Sequence, residues 1–355
     1  MMLRVHMDST PVWNPNPRGI GTYIINLIQD LLDLGVEVHA AFKFSRLQTL
    51  MRAKRLPRFA KKKVIPFWMG KIQLFHGTNR FLMEGGFAKV LTVHDMIEFY
   101  PSLDFWFPPG KKRKMRQKTE KCFELEPQQV IAVSNFAKSE ILQFTNYPEE
   151  RISVIYHGIP TWAKPTQEKI AAHTAREHGL APGKYLVFVG QPESRKNLGL
   201  VLRAMSKLKW VQLLVAGGKL EPAEADLADK LNLRNRILEL GFVPGEELSA
   251  LLSGSLALAF PSRYEGFGLP IIEAMACGTP VITSTHPATA EAAGPAGITL
   301  HPDDVEGFVA AAERLLQDKG FRASLVQKGL ERAGLFSWRK TAEQTITSYR
   351  RALNA

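Results

Sequence analysis

Two parallel α/β domains are what this sequence predicts, and three observations predict them. The chain has 355 residues, too many for one ordinary core. Its apolar runs are short, rich in Val, Ile and Leu, and free of polar alternation, which is how strands buried on both faces read. Longer stretches with helical spacing lie between those runs, and alternating strands and helices build parallel sheets.

In the first half, strands are expected at Leu3–Met7, Val36–Phe42, Lys89–Val93, Gln129–Val133 and Ser153–His157. In the second half they are expected at Tyr185–Val189, Val211–Ala216, Ile237–Gly241, Leu256–Phe260 and Pro280–Thr283. After the first strand, Ile24, Leu27, Ile28, Leu31 and Leu34 recur at helical spacing. Proline and glycine bracket a polar helical segment at 158–183, which reads as a linker. The closing SWRKTAEQTITSYRRALNA reads as a terminal amphipathic helix. The expected domains are therefore 1–160 and 161–337, followed by a helix at 338–355. Two such sheets facing each other leave a central cleft at the carboxyl ends of their strands, where sheets of this kind bind ligands.

Composition narrows the function. With 45% hydrophobic and 23% charged residues the chain is ordinary globular protein. Cys122 and Cys277 are its only cysteines. Two are too few for a disulfide framework and suit a reducing cytosol. The N-terminus reads as a strand, and no run of about 18 apolar residues occurs, so no membrane-spanning helix is expected. The formal charge is +12, and residues 1–160 carry +9 of it, with 23 Lys and Arg against 14 Asp and Glu. No acidic residue lies between Glu37 and Glu84. This half should meet a membrane surface, an anionic acceptor or nucleic acid. Two basic clusters stand out: MRAKRLPRFAKKK at 51–63, and DFWFPPGKKRKMRQKTEK at 104–121, where Phe105, Trp106 and Phe107 flank the cations. Either alone reads as a solvated face. Together, through 51–63 and 111–121, they favour an anionic membrane surface or acceptor. No nucleic-acid motif accompanies them, so no nucleic acid is expected as a partner.

The residues suited to chemistry cluster after expected strands. SRYEGFGLPIIEAMACGTPVITS, residues 262–284, places Glu265, Gly266, Phe267, Gly268 and Leu269 in a strand–loop–helix transition. Helix starts leave backbone N–H groups unpaired and favour anions, and glycine admits a ligand close to the backbone. Glu273 is expected in the first helical turn. A carboxylate accepts from vicinal hydroxyls, such as those of a sugar and a ribose. Singly, either glutamate reads as a helix-terminus anion; the pair with the glycines reads as functional. In YLVFVGQPESRKNLGLVLRAM, Arg195 and Lys196 precede a helix, a fork and a point charge suited to a pyrophosphate, or else a solvated pair. In RGIGTYIINLIQDLL, Gly19 and Gly21 precede a helix, but Ile24 stands where a dinucleotide fingerprint needs a small residue. In KVLTVHDMIEFYP, His94 and Asp95 end a strand; His94 reads equally as a core histidine. The histidines are scattered and neither cysteine has a near partner, so no metal site is expected. No nucleophile elbow or P-loop occurs.

EGFGLPIIEAMACGTPVITS resembles the signature of glycosyltransferase family 4, retaining transferases of the GT-B fold. GIGTY, FHGTN, TVHDMIEFYP, VIAVSNFAKSEI, ISVIYHGI, FVGQPESRKNLGLVL, LLVAGG, LGFVPGEELSALL and FSW follow in the family's order over nearly the whole chain. The resemblance implies two Rossmann-like domains and a C-terminal helix crossing back to the first. It implies an N-terminal acceptor-binding domain and a C-terminal nucleotide-sugar-binding domain. Glu265 would contact the transferred sugar, and Glu273 the ribose. Arg195 and Lys196 would hold the diphosphate, with Gly266, Phe267, Gly268 and Leu269 offering backbone groups. Gly21 would approach the diphosphate from the first domain, His94 would sit near the sugar with Asp95 beside it, and Val243 would lie by the base. The nucleoside-diphosphate sugar is a substrate, and neither cofactor nor metal is expected. Gln191 departs from the arginine or threonine frequent after the glycine at 190, which loosens inference about the donor. The set is most similar to bacterial mannosyltransferases of surface-polysaccharide assembly. That implies GDP-mannose, a lipid-linked or glycan acceptor, and a cytoplasmic place at the inner membrane face. The alternatives are a non-catalytic nucleotide-binding scaffold of the same fold, or a UDP-sugar-dependent transferase.

Overall fold

The computed structural model describes residues 3–13, 19–43, 61–65 and 72–355. The chain divides into two compact units. Unit 1 is Met1–Gly158 together with Ser337–Ala355, and unit 2 is Ile159–Phe336.

Unit 1 is built on seven parallel strands: β1 (Arg4–Asp8), β2 (Glu37–Lys43), β3 (Lys61–Ile65), β4 (Leu74–Gly77), β5 (Ala88–Val93), β6 (Gln129–Ala132) and β7 (Ile152–Val154). Their order across the sheet is β3-β2-β1-β4-β5-β6-β7. The order reverses between β1 and β4, and such switch points are where doubly wound sheets bind ligands. The helix Ile20–Asp33 buries Tyr23, Ile24, Leu27, Ile28 and Leu31 against this sheet's core, as its spacing requires. The C-terminal helix, Trp338–Leu353, belongs to the same core, inserting Trp338, Ala342, Ile346, Tyr349 and Ala352. Ser337 caps it by accepting a hydrogen bond from Lys340 N at 3.1 Å.

Unit 2 has six parallel strands: β8 (Tyr185–Val189), β9 (Gln212–Ala216), β10 (Ile237–Glu239), β11 (Ala257–Phe260), β12 (Val281–Ser284) and β13 (Ile298–Leu300). Their order is β10-β9-β8-β11-β12-β13, so the switch point falls between β8 and β11. Both strands are almost wholly buried, which explains their unbroken apolar sequences YLVFV and ALAF.

Each of the ten expected strands overlaps an observed one, Ser153–His157 only at Ser153 and Val154, and β3, β4 and β13 are additional to them. β3 opens with three lysines and was expected only as part of a basic cluster. It is the edge strand of this sheet among the described residues. Residues 51–60 of that cluster lie outside the described residues. β4 ends in His76 and Gly77, and β13 has an exposed Thr299 at its centre, so neither is an unbroken apolar run. No helix among the described residues is long and apolar enough to cross a membrane.

Candidate active site

In unit 2 the loops after β8 and β11 meet at the switch point. The loop after β8 leaves the strand at Gly190, whose φ of +117° suits glycine. A Cβ there would lie 2.9 Å from Lys196 Nζ, so the missing side chain makes room for the ammonium. Asn197 adopts the left-handed conformation at φ 58°, and its Nδ2 donates to Pro261 O at 3.1 Å and Pro302 O at 2.6 Å. This buried amide ties the loop after β8 to the loop after β11. Arg263 N also donates to Arg195 O at 2.7 Å.

The tie brings opposite charges together. Glu265 Oε1 lies 2.9 Å from Arg195 Nη1 and 3.4 Å from Lys196 Nζ. Ser262 Oγ donates to the same oxygen at 3.2 Å. Arg195 also donates to Tyr264 O at 3.1 Å and pairs with Glu193 at 2.7 Å. Lys196 is buried over the Phe260 ring, 5.0 Å from its centroid. Burial alone would raise the Glu265 carboxyl, but Arg195 and Lys196 outweigh it and hold it down to about 2. Burial pulls the Lys196 ammonium below its usual range, with Glu265 opposing and Arg195 assisting.

The next helix, Leu269–Ala276, starts from Gly268 at φ 117° with Pro270 in its first turn. Gly266 and Phe267 lie in the loop before it, and Phe267 packs edge-on to Phe336 at 5.7 Å. Leu269 is the first helical residue. Glu273 is therefore on the second turn, not the first as expected, because the left-handed Gly268 starts the helix at Leu269. Burial raises its carboxyl to about 7, with Lys196 pulling the other way. Nearby, burial lowers His286 to about 4 against the opposing effect of Glu265. Val243 is buried in the loop after β10. That loop joins the others through backbone: Gly241 O accepts from Gly217 N at 2.5 Å, and Ala216 O accepts from Gly190 N at 2.7 Å. Gln191 covers Gly218, where a Cβ would lie 2.4 Å from its Oε1.

The remaining candidates gather in unit 1. His94 and Asp95 follow β5. His94 Nε2 lies 3.0 Å from Thr78 O. A carbonyl only accepts, so Nε2 carries the proton and Nδ1 keeps its lone pair. Burial lowers His94 to about 4, despite the raising effects of Thr78 and Asp95, so the ring is neutral at pH 7. Its ring stacks on His157 at 5.4 Å and meets the edge of Tyr23 at 5.1 Å. Asp95 is engaged differently. Its Oδ1 holds Arg80 Nη2 at 2.6 Å, and Arg80 also grips Glu98 with Nε at 2.7 Å and Nη2 at 2.6 Å. Gly21 is buried inside the first turn of its helix, which starts at Ile20; it does not precede the helix as expected.

The structure thus places the predicted residues in two groups, one per unit. It adds Ser262, Asn197 and Gly190 to the first, and Thr78, Tyr23, His157 and Arg80 to the second. Of these, Gly190 and Asn197 carried a local signal, a glycine at a strand end and an Asn directly before a helix. Among the described residues no group of three or more His, Cys, Asp or Glu could hold a metal ion. The basic run 111–121 lies on the helix Lys111–Glu124, whose first turn holds no acidic residue.

Residues 17–162 match the model described as Glycosyltransferase Family 4, and residues 173–332 match Glycosyl transferases group 1. The chain is 31% identical over 287 residues to O-antigen chain mannosyltransferase B of Escherichia coli, covering 79% of this chain and 74% of that one. It is 30% identical over 239 residues to D-inositol 3-phosphate glycosyltransferase of Mycobacterium marinum, covering 64% of this chain and 51% of the relative. In fold it resembles Anabaena Alr3699/HepE, solved with UDP-glucose, at a TM-score of 0.77 and 16% identity, over 98% of this chain and 100% of that one. The two matched models, the relative aligned over most of both chains and the paired parallel sheets agree: this chain belongs to glycosyltransferase family 4 and is a glycosyltransferase of the GT-B fold.

Proposed function

We propose that the protein transfers a hexose, with retention, from a nucleoside-diphosphate sugar to a glycan or lipid-linked acceptor of cell-surface polysaccharide assembly. GDP-mannose is the donor of choice, on the strength of the mannosyltransferase among its relatives. The observation that carries the donor site is the Arg195–Lys196–Glu265 cluster at the switch point, with Glu273 on the second turn of the helix that follows Gly268.

In this reading Arg195 and Lys196 take the diphosphate, and the start of the helix Leu269–Ala276 offers amides to it through Gly266 to Leu269. Glu265 turns to the sugar hydroxyls and Glu273 accepts from the ribose diol. Val243 borders the base. As the bond from the anomeric carbon to the β-phosphate oxygen breaks, charge accumulates on the diphosphate and the two cations stabilise it. The acceptor oxygen attacks the face the leaving group vacates, and a β-phosphate oxygen takes its proton. His94 Nδ1 accepts a sugar hydroxyl, with Asp95 holding Arg80 alongside. Gly21 supplies backbone to the diphosphate. No metal takes part in this scheme. The cationic helix Lys111–Glu124 rests on the anionic inner face of the membrane, where a lipid-linked acceptor is found.

The first test is a thermal-shift series with GDP, UDP, ADP and TDP, each without metal. A ligand that binds only the folded state raises the melting temperature. GDP is expected to respond most, and GDP-mannose turnover should then yield a product of unchanged anomeric configuration. No response to any nucleotide and no donor turnover would defeat the proposal. A response to UDP alone would replace the donor, and an inverted product would replace the mechanism.

A further inference from the structure

We propose that Tyr349, on the C-terminal helix, is a positioning residue for His94, acting through His76, Thr92 and Tyr23. The inference rests on the reading of His94 as a sugar-hydroxyl acceptor. Four buried polar groups make a continuous chain inside unit 1. Tyr349 OH lies 2.7 Å from His76 Nδ1, and His76 Nε2 lies 2.7 Å from Thr92 Oγ1. Thr92 Oγ1 lies 3.0 Å from Tyr23 OH. Tyr349 and His76 are 0% exposed, Thr92 1% and Tyr23 2%.

A core built only for packing would not use these residues. Phenylalanine at 349 and an aliphatic residue at 76 would fill the space without desolvating an imidazole and three hydroxyls. Burial lowers His76 to about 3, so the ring is neutral and has one donor and one acceptor. Both nitrogens face hydroxyls, so one hydroxyl must donate to the ring and the other must accept from it. Such a chain fixes rotors that packing alone leaves free.

The fixed end is Tyr23. Its ring meets His94 edge-on at 5.1 Å and His157 edge-on at 4.9 Å. His157 in turn stacks on His94. The C-terminal helix adds a second brace, because Trp338 lies against both His157, at 5.8 Å, and Tyr23, at 6.1 Å. Thr78 O anchors one nitrogen of His94, which leaves the ring free to swing about that bond. Tyr23 and His157 are the walls that stop the swing and aim Nδ1. If Tyr349 releases His76, the phenol of Tyr23 loses its tether and the first wall can tilt. A misplacement of about 1 Å at a reacting group costs up to about 10²-fold in rate, so a partial loosening should cost about tenfold.

The test is a double-mutant cycle between Tyr349→Phe and His94→Ala. Its readouts are hydrolysis or transfer with GDP-mannose or UDP-glucose, whichever turns over, and the ring-nitrogen NMR signals of His94. Tyr349→Phe should lower kcat about tenfold with donor KM within twofold, and should cost nothing further in the His94→Ala background. Its His94 signals should shift and broaden as the ring swings, while the Nε2–H tautomer set by Thr78 O is kept. Thr92→Val should reproduce these effects and Thr92→Ser should restore them, which covers the case in which Tyr349→Phe does not fold. Additive losses, unchanged kcat, or His94 signals identical to wild type would overturn the proposal. Full activity in His94→Ala would instead overturn the role of His94 itself, an outcome distinct from a slow His94→Ala beside a fast Tyr349→Phe.

Discussion

The loop cluster of unit 2 and the histidine cluster of unit 1 both stand at the carboxyl ends of parallel strands, yet they hold their polar groups in opposite ways. Unit 2 pairs formal charges: Arg195 and Lys196 against Glu265. Unit 1 keeps His76, His94 and His157 neutral by burial and arranges them by ring contacts and hydroxyls. A charged cluster can exchange one ionic partner for another, as a diphosphate would replace Glu265. A neutral cluster has no charge to exchange and serves better to aim a lone pair at a hydroxyl. In the proposed scheme the difference divides the work between recognising a charged leaving group and orienting a neutral sugar.

Three experiments sharpen that division. The largest effect is expected from replacing Arg195 and Lys196 together with alanine. Affinity for the responding nucleoside diphosphate should fall about 10²- to 10³-fold, the worth of two charge-assisted hydrogen bonds, while His94→Ala leaves it within about twofold. Calorimetric titration of both variants checks this, and equal losses would erase the distinction.

A smaller effect is expected from pH. The histidines of unit 1 have folded values below the ordinary 6.5, so they stabilise above that value, and the stability is lost as pH falls toward about 4 and 3. Glu273 is raised from 4.5 to about 7, so its contribution is fully present below 4.5 and is lost as pH rises through 7. Lowering the pH from 7.5 to 5 should therefore weaken hydrogen-exchange protection in β5 and the C-terminal helix more than in β11 and the helix Leu269–Ala276. Glu273→Gln should raise the melting temperature at pH 8, by about 2–5 °C, and leave it unchanged at pH 4. A rise at both pH values would mean that burial of the charge is not the cause.

The smallest effect concerns the cationic helix. Arg113→Ala with Lys114→Ala should weaken co-sedimentation with anionic vesicles at low salt, by about 1 kcal/mol per charge. Wild-type protein that ignores such vesicles would remove the membrane from the proposal.

The fold was legible because buried parallel strands are unbroken apolar runs, such as YLVFV and ALAF, alternating with helical stretches. β3 was not, because an edge strand carries the lysines that a solvated segment would carry. The loops after β8 and β11 were legible from Gly190, Gly266, Gly268 and Pro270, which mark strand ends and a helix start. The pairing of Arg195 with Glu265 was not, since it depends on β8 lying beside β11, a fact of sheet order. Asp95 shows the same limit. Its place after β5 was readable, but its partner Arg80 comes from the loop after β4, a strand with no pattern of its own. The chain from Tyr349 to Tyr23 joins residues hundreds of positions apart, and no local spacing announces it.

The return of the C-terminal helix to unit 1 has a consequence for biosynthesis. Unit 2 is one continuous segment, complete once Phe336 has been made. Unit 1 is started first yet lacks Trp338, Ile346 and Tyr349 from its core until the last helix is synthesised. Along the chain the order of completion is therefore reversed. The domain begun second can close first, and the sheet begun first waits with an apolar groove uncovered. Domains ordinarily fold as units in the order they emerge. Here a released chain truncated after Phe336 should hold a finished unit 2 beside an unfinished unit 1.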